Sequence, residues 1–244
     1  MRISSANTAS PSGKLEDYEK LMSNTTAWDL ALCVFAEENL YTAVVSDSLD
    51  QLGVRNQAMR EYLRPLHSPC KFAGWARTIS CSDVYHIPDD PYTLEIEAVD
   101  SILPGEVLVV STQQSKRNAP WGELLSTAAQ ARQARGAVID GLVRDVDKIQ
   151  KLGFPVLAAG IKPVDSMGRG VVTAYNVAVE CGEVLVNPGD FVFADTDGVV
   201  VIPSAMVGEV TKMAADKVSR ENNSRDELMK GVYLRDVYRK YGVL

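Results

Sequence analysis

With 244 residues, 46% of them hydrophobic and 23% charged, the chain has the composition of a globular protein with a full core, in one large domain or two small ones. Its 25 Lys and Arg against 32 Asp and Glu leave a formal net charge of −7, which argues against a nucleic-acid partner, because such a surface needs a basic face to neutralise phosphates. No stretch reaches the roughly 18 apolar residues of a transmembrane helix and the first residues lack a signal peptide's apolar core, so a cytoplasmic location with no membrane partner is expected.

In chain order, residues 1–13 are rich in Ser, Thr, Asn and Pro without periodicity, which predicts a flexible arm. Trp28, Ala31, Leu32 and Phe35 share one face of a helix predicted over Ala27–Asn39. A second helix, Thr42 to about Leu52, should stop at Gly53. Strands are expected at Phe72–Cys81, Glu106–Ser111, Ala137–Leu142 and Val156–Gly160. Between the second and third of these lies a helix, about Trp121–Arg135. Leu124, Leu125, Ala128 and Ala129 fall on one face of it, Pro120 stands at its start and Gly136 just beyond its end.

Three short β runs follow, Val184–Val186, Phe191–Ala194 and Val199–Ile202, separated by the turn sequences NPGD and DTDG. Ser204 can cap a helix carrying Met206, Val207, Val210, Met213 and Ala214, and Ser224 with Glu227 forms a possible capping box for a further one. Val232–Tyr241 presents Tyr233, Leu234, Val237 and Tyr238, a short helix able to fold back or to dock on a neighbouring subunit. Alternating strands and helices followed by hairpins predict a mixed α/β fold.

The stretch carrying most chemistry is Gly122-Glu123-Leu124-Leu125 followed by Arg144-Asp145, with twenty residues separating Glu123 from Arg144. Both clusters fall just past a strand and at a helix start, where open α/β sheets bind small ligands. Free N–H groups at a helix N-terminus suit a carboxylate, an arginine adds a bidentate fork, and an aspartate offers a hard oxygen to Mg²⁺ or Mn²⁺. The bland alternative is as simple: Asp145 as a helix cap, Arg144 as a surface ion-pair residue, Glu123 as a dipole partner.

The other candidates carry less. Asp195 and Asp197 read better as hairpin-turn residues than as metal ligands. His67 and His86 are isolated, and Gly168-Arg169-Gly170 lacks the spacing of a phosphate loop. Lys148 and Lys162 read as solvated lysines, not Schiff-base formers. Cys33, Cys70, Cys81 and Cys181 are scattered and form no CxxC pair, which predicts buried, reduced thiols.

The Gly-Glu, twenty-residue, Arg-Asp combination resembles the signature of the family that joins class II 4-hydroxy-4-methyl-2-oxoglutarate aldolases to the regulator of ribonuclease activity A (RraA). TAVVSDSLDQLGV (42–54), KFAGWARTI (71–79), LPGEVLVV (103–110), APWGELL (119–125), VRDV (143–146) and VNPGDFVFADTDGVVVIP (186–203) resemble further blocks of it. The resemblance implies a layered αββα sandwich of the swivelling phosphohistidine-domain type, assembled as homotrimers or homohexamers. On this reading residues 1–25 are the flexible arm, 26–205 the α/β catalytic domain, and 206–244 a C-terminal helical extension at a subunit interface.

The resemblance also implies roles. Arg144 would bind the carboxylate and keto oxygen of pyruvate, helped by the backbone of Gly122, Leu124 and Leu125. Asp145 would hold Mg²⁺ or Mn²⁺ and Glu123 would order water on it. Glu221 is the match for an acid reaching across from another subunit. One departure is Lys148, where aldolases of the family carry an acid, which disfavours aldol cleavage more than oxaloacetate decarboxylation. The implied function is a metal-dependent lyase forming pyruvate from a small α-keto acid; the alternative is a non-catalytic protein-binding regulator like the ribonuclease E inhibitor.

Overall fold

The protein is described by a computed structural model that covers residues 30–243. The expected arm over 1–25, and Ala27 and Trp28 of the first predicted helix, lie outside these residues. In chain order the elements are α1 (Leu30–Asn39), α2 (Thr42–Gln51), β1 (Arg64–Pro65), β2 (Phe72–Asp83), α3 (Thr93–Asp100), β3 (Glu106–Ser111), α4 (Glu123–Ala131) and β4 (Gly136–Val143). They continue with α5 (Val146–Leu152), β5 (Val156–Ile161), β6 (Gly170–Tyr175), β7 (Val179–Cys181), β8 (Val184–Val186), β9 (Phe191–Ala194), β10 (Val199–Ile202), a 3₁₀ turn at Ser204–Met206, α6 (Val207–Met229) and α7 (Leu234–Tyr241).

One mixed eight-stranded sheet organises the chain, in the order β1-β5-β4-β3-β2-β9-β10 with β6 also on β2, beside a two-stranded β7-β8 hairpin. Strands β2, β3, β4 and β5 run parallel, as βαβ connections through α3, α4 and α5 require. The long strand β2 is shared along one edge: β9 pairs Phe72–Trp75 and β6 pairs Ile79–Asp83, with a register shift between Ser80 and Cys81. Two partners on successive halves of one strand make the sheet curl.

Period-two alternation divides the core. Val107 and Val109 of β3, Val138 of β4 and Leu157 of β5 point to one face, where the β7-β8 hairpin adds Val179, Cys181, Val184 and Val186. Leu108, Val110, Ala137, Ile139, Val156 and Ala158 point to the other, under Val99 of α3, Ala129 of α4 and Ile149 of α5. On that same side of β2 and β9, Trp75, Phe191 and Phe193 pack with α1, α2 and α6. With both faces covered, strands β3 to β5 carry nearly unbroken apolar runs, the pattern of a buried parallel sheet. All four cysteines are free and buried.

Turn chemistry fixes the hairpins. Asn187-Pro188-Gly189-Asp190 closes with Asp190 N–H donating to Asn187 O at 3.1 Å, and Gly189 sits at φ 84°, as the third position of a type II turn demands. Asp195 and Asp197 form the β9-β10 turn as expected, and Asp195 does more. Its carboxylate accepts from Thr42 N at 2.8 Å and Thr42 Oγ1 at 2.7 Å, capping α2 from 153 residues away. Gly53, at φ 76°, ends α2 as predicted.

Several expectations are corrected. The capping box at Ser224 and Glu227 does not exist: α6 runs unbroken through both, and Ser224 Oγ donates to Arg220 O within the helix. A polar residue in a helix interior imitates a cap when only local pattern is read. In α1 the buried face is Leu32, Cys33 and Ala36, and Ala31 is exposed. In α4 the helix is shorter than Trp121–Arg135, and Leu124 is 78% exposed instead of lying on the core face. Of the predicted stripe on α7 only Val237 is buried; Tyr233, Leu234 and Tyr238 are exposed, while Lys240 and Tyr241 bind Glu227 and fold the helix back on α6. No helix among the described residues is long and apolar enough to cross a membrane.

Candidate active site

The parallel strands β3, β4 and β5 deliver their C-terminal ends to one edge of the sheet, and three connections meet there. Backbone bonds stitch them together: Arg144 N donates to Trp121 O at 2.9 Å, Lys162 N to Val143 O at 2.9 Å, and Ala119 N to Val164 O at 2.8 Å. Trp121 also forms a parallel bridge with Val143, and its indole N–H donates to buried Ser126 Oγ at 2.9 Å, which itself donates to Gly122 O at 3.0 Å. The start of α4 is thereby clamped against the end of β4.

A cleft of roughly 170 Å³ opens between these connections. Gly122, Glu123, Leu124, Leu125, Arg144 and Asp145 all line it, so six of the seven candidate site residues come together. Glu221 does not line it; within this chain it lies on α6, 3.8 Å from Lys217. Lys217 in turn pairs with Asp47 of α2. Lys148 is exposed on α5, and Lys162 donates to the carbonyls of Lys116 and Arg117, a tie between loops. His67 faces the carbonyl of Phe154 at 3.4 Å, away from the cleft.

The side chain of Asp145 does not cap its helix. The residue stands at the N-cap of α5, yet its side chain makes no capping hydrogen bond, and its backbone is left-handed at φ 59°. Aspartate tolerates that region better than most residues, at a cost of about 1 kcal/mol or more, and such strain concentrates at functional sites. The carboxylate is thus aimed at the cleft and not spent on the helix. Glu123 is partly engaged, accepting from Thr127 Oγ1 at 3.0 Å.

At the start of α4 the first helical bond is Ser126 N to Gly122 O, and Gly122 offers no side-chain cap. The N–H groups of Glu123, Leu124 and Leu125 are left as the helix's unpaired donors. Arg144 lies beside them: its guanidinium is 3.1 Å from Asp165 Oδ1 and 3.8 Å from Asp145 Oδ2. Asp165 accepts from Tyr92 OH at 2.9 Å and from Met167 N at 3.3 Å. Burial works against its charge, but the Tyr92 hydroxyl, the Met167 and Ser166 amides and Arg144 outweigh it and hold the carboxyl below the ordinary range.

Five cleft residues were not among the site candidates, Tyr92, Glu95, Pro120, Asp165 and Ser166, and three of them are ionisable: Tyr92, Glu95 and Asp165. Asp165 follows β5, so the strand-end rule that selected Gly122 and Arg144 applied to it as well. Glu95 also carried a signal. It falls at i, i+3, i+4 and i+7 with Ala98, Val99 and Ile102, all buried, which makes it a carboxylate on the core stripe of α3. Burial, reinforced by the charge of Asp165 and opposed by Arg144, pushes its carboxyl up to about 7.

A model of the RraA-like family, described as Aldolase/RraA, matches residues 42–201. A Halalkalibacterium halodurans protein provisionally named 4-hydroxy-4-methyl-2-oxoglutarate aldolase is 29% identical over 192 residues, 77% of this chain and 86% of that protein. An uncharacterized protein of Methanocaldococcus jannaschii is 41% identical over 120 residues, 49% of this chain and 57% of its own length. Among solved structures, Streptomyces coelicolor RraAS2, described as an unusual member of the RNase ES inhibitor RraA family, superimposes with a TM-score of 0.72 at 30% identity. That match covers 81% of this chain and 96% of the other.

Proposed function

From the premise that the chain belongs to the RraA-like, Aldolase/RraA, family, we propose that it is a divalent-metal-dependent carbon–carbon lyase that releases pyruvate from a small α-keto acid. The reaction is aldol cleavage of a 4-hydroxy-4-methyl-2-oxoglutarate-type substrate, decarboxylation of oxaloacetate, or both. The observation that carries the reading is the convergence of Arg144, the uncapping Asp145 carboxylate and the free N–H groups of α4 on one cleft. The aldolase name of the Halalkalibacterium halodurans relative supports the reaction class.

In this mechanism the substrate carboxylate lies on the α4 N-terminus, where unpaired amides and the helix dipole favour an anion. Arg144, oriented by Asp165, binds the same carboxylate and the keto oxygen. The donor set suits Mg²⁺ or Mn²⁺: the cleft offers carboxylate oxygens and no His or Cys, and no group of three His, Cys, Asp or Glu among the described residues could cage an ion. Mg²⁺ characteristically takes one or two carboxylates and fills its remaining positions from water and substrate. Asp145 would hold it and Glu123 would orient water beside it. The ion would supply Lewis-acid stabilisation of negative charge on the keto oxygen. In a homotrimer or homohexamer, Glu221 of a neighbouring subunit would close the cleft.

The test is pyruvate release from oxaloacetate and from 4-hydroxy-4-methyl-2-oxoglutarate, with Mg²⁺ or Mn²⁺ and again with EDTA. Release should vanish with EDTA, and Arg144→Ala and Asp145→Ala should each lower kcat/KM by at least about 100-fold. Lys148 predicts a ratio favouring oxaloacetate. Unchanged activity in both variants would sink the lyase reading.

A second reading, a protein-binding regulator, is favoured by the likeness to the Streptomyces coelicolor structure and by Lys148. Saturable binding to a ribonuclease E-type enzyme, with no pyruvate released from either substrate, would establish it instead.

A further inference from the structure

Glu95 stands apart from every other ionisable group on the cleft. Asp165 is held by Arg144, Tyr92 and the Met167 amide, Tyr92 gives its hydroxyl proton to Asp165, and Glu123 accepts from Thr127. Asp145 lies against Arg144. Glu95 alone has neither a hydrogen bond nor an ion pair on its carboxyl among the described residues; its neighbours act on it through burial and through the charges of Asp165 and Arg144. It also occupies a junction. Besides the cleft, it lines an apolar recess with Ile79, Val99, Val110 and Trp121, and a second narrow recess with Ser82 and Asn118. Its side chain therefore lines the cleft together with Arg144 and the start of α4, with apolar side chains packed on its other side.

A bound α-keto acid with its carboxylate and keto oxygen at Arg144 and the start of α4 turns its next carbon, C3, toward the remaining walls. Cleavage leaves an enolate whose C3 must gain a proton, whichever bond was broken. A carboxyl that burial inclines to keep its proton is suited to give it, because no hydrogen-bond partner among the described residues competes for that proton.

We infer that Glu95 is the general acid–base of this cleft, donating a proton to C3 of the pyruvate enolate and removing one from the methyl group of pyruvate in reverse, an assignment that rests on the lyase reading above. In the forward step the C2–C3 π electrons form the new C3–H bond, the C2 carbonyl is restored, and Glu95 is left as a carboxylate that takes its next proton from solvent. In reverse, the Glu95 carboxylate accepts a C3 proton while the C–H pair becomes the C2–C3 π bond and the keto oxygen takes the charge. Electrons and protons balance with water as the sole exchange partner.

The experiment follows loss of the pyruvate methyl ¹H signal in D₂O with the full chain and Mg²⁺, beside loss of oxaloacetate. Wild-type protein should exchange the methyl protons, at a rate that rises with pH through about 7 and then levels, since exchange needs the carboxylate. The charged and titratable groups that share these spaces with Glu95 are Tyr92, Glu123, Arg144, Asp145 and Asp165 in the cleft and Cys81 and Asp83 of β2. Of these, Cys81 is pushed up to about 12 by burial and does not titrate in this window. Glu95→Gln should slow exchange by at least about 100-fold and flatten its pH profile. Loss of oxaloacetate should slow by a smaller factor than exchange does, because C–C cleavage precedes the protonation and the enolate left in Glu95→Gln takes its C3 proton from water. Glu95→Asp should restore part of the exchange.

Exchange at the wild-type rate in Glu95→Gln overturns the assignment, and so does an equal loss of both reactions, which would make Glu95 a binding or folding residue. A wild-type chain that performs neither reaction overturns the lyase reading itself, and that arm is read without any variant.

Discussion

At Gly122 an added Cβ would lie 2.9 Å from Asp145 Oδ2 and 3.1 Å from Arg144 Cγ, while the backbone there is extended, with φ −153°. The requirement for glycine is therefore close approach and not a left-handed dihedral. Gly122→Ala should push the Arg144-Asp145 pair aside by a few tenths of an ångström and lower kcat/KM for pyruvate release by about 10- to 100-fold, with the melting temperature shifted by only a few degrees. A wild-type rate in that variant would remove Arg144 and Asp145 from the reaction. Glu95 makes a prediction about stability as well. Its folded carboxyl is raised to about 7 from an ordinary 4.5, so the folded state prefers the proton. The associated stability is fully present below pH 4.5 and is lost as pH rises through 7. Glu95→Gln escapes that loss. Urea unfolding at pH 5 and pH 8 should show the variant gaining about 2 kcal/mol on the wild type across the interval; equal pH dependence in the two would contradict the burial of a free carboxyl there.

At the scale of elements, the helices owe their ends to groups that are distant in sequence. Helix α2 has Tyr41 at its N-cap with no capping bond from that side chain, and Asp195 of the β9-β10 turn supplies the cap through Thr42. Asp195→Ala should lower stability by about 1–2 kcal/mol, read from chemical denaturation, and leave any pyruvate release intact. The turns themselves were legible. Asn187-Pro188-Gly189-Asp190 and Asp195 to Gly198 carry the residue types that their dihedrals demand, and both formed where those residues stand. Helix faces were less so: Ala31 and Leu124 belong to apolar runs and nonetheless face outward. Apolar spacing shows that a helix has a face, but successive residues point about 100° apart, so a stripe assigned one residue off faces elsewhere. Helix α3 went unnoticed because it is short and Glu95 occupies the first position of its buried stripe, and that carboxylate is the functional feature.

At the scale of the molecule, the parallel half of the sheet and its helices form one face of packing, and α1, α2 and α6 extend that face across β9 and β10. The β7-β8 hairpin covers the reverse side. Parallel strands place their C-terminal ends side by side, so the three loops after β3, β4 and β5 share one edge whatever their sequences. That is why a site assembled from Gly122, Arg144 and Asp165 lies where it does. Cys33, Cys70, Cys81 and Cys181 took up the reduced, buried state that their scattered spacing implied. By itself the sequence determined the features that depend on neighbours along the chain: the apolar strand runs, the turn types, the stop at Gly53, and the pairing of Gly122-Glu123 with Arg144-Asp145. Only the tertiary structure decided that Tyr92 meets Asp165 across 73 positions, that Asp145 leaves its helix uncapped, and that Glu95 faces the cleft. Those contacts follow from the register of parallel strands and the docking of α3 on them; the periodicity that puts Glu95 on a buried stripe says nothing of which strand ends the stripe will meet.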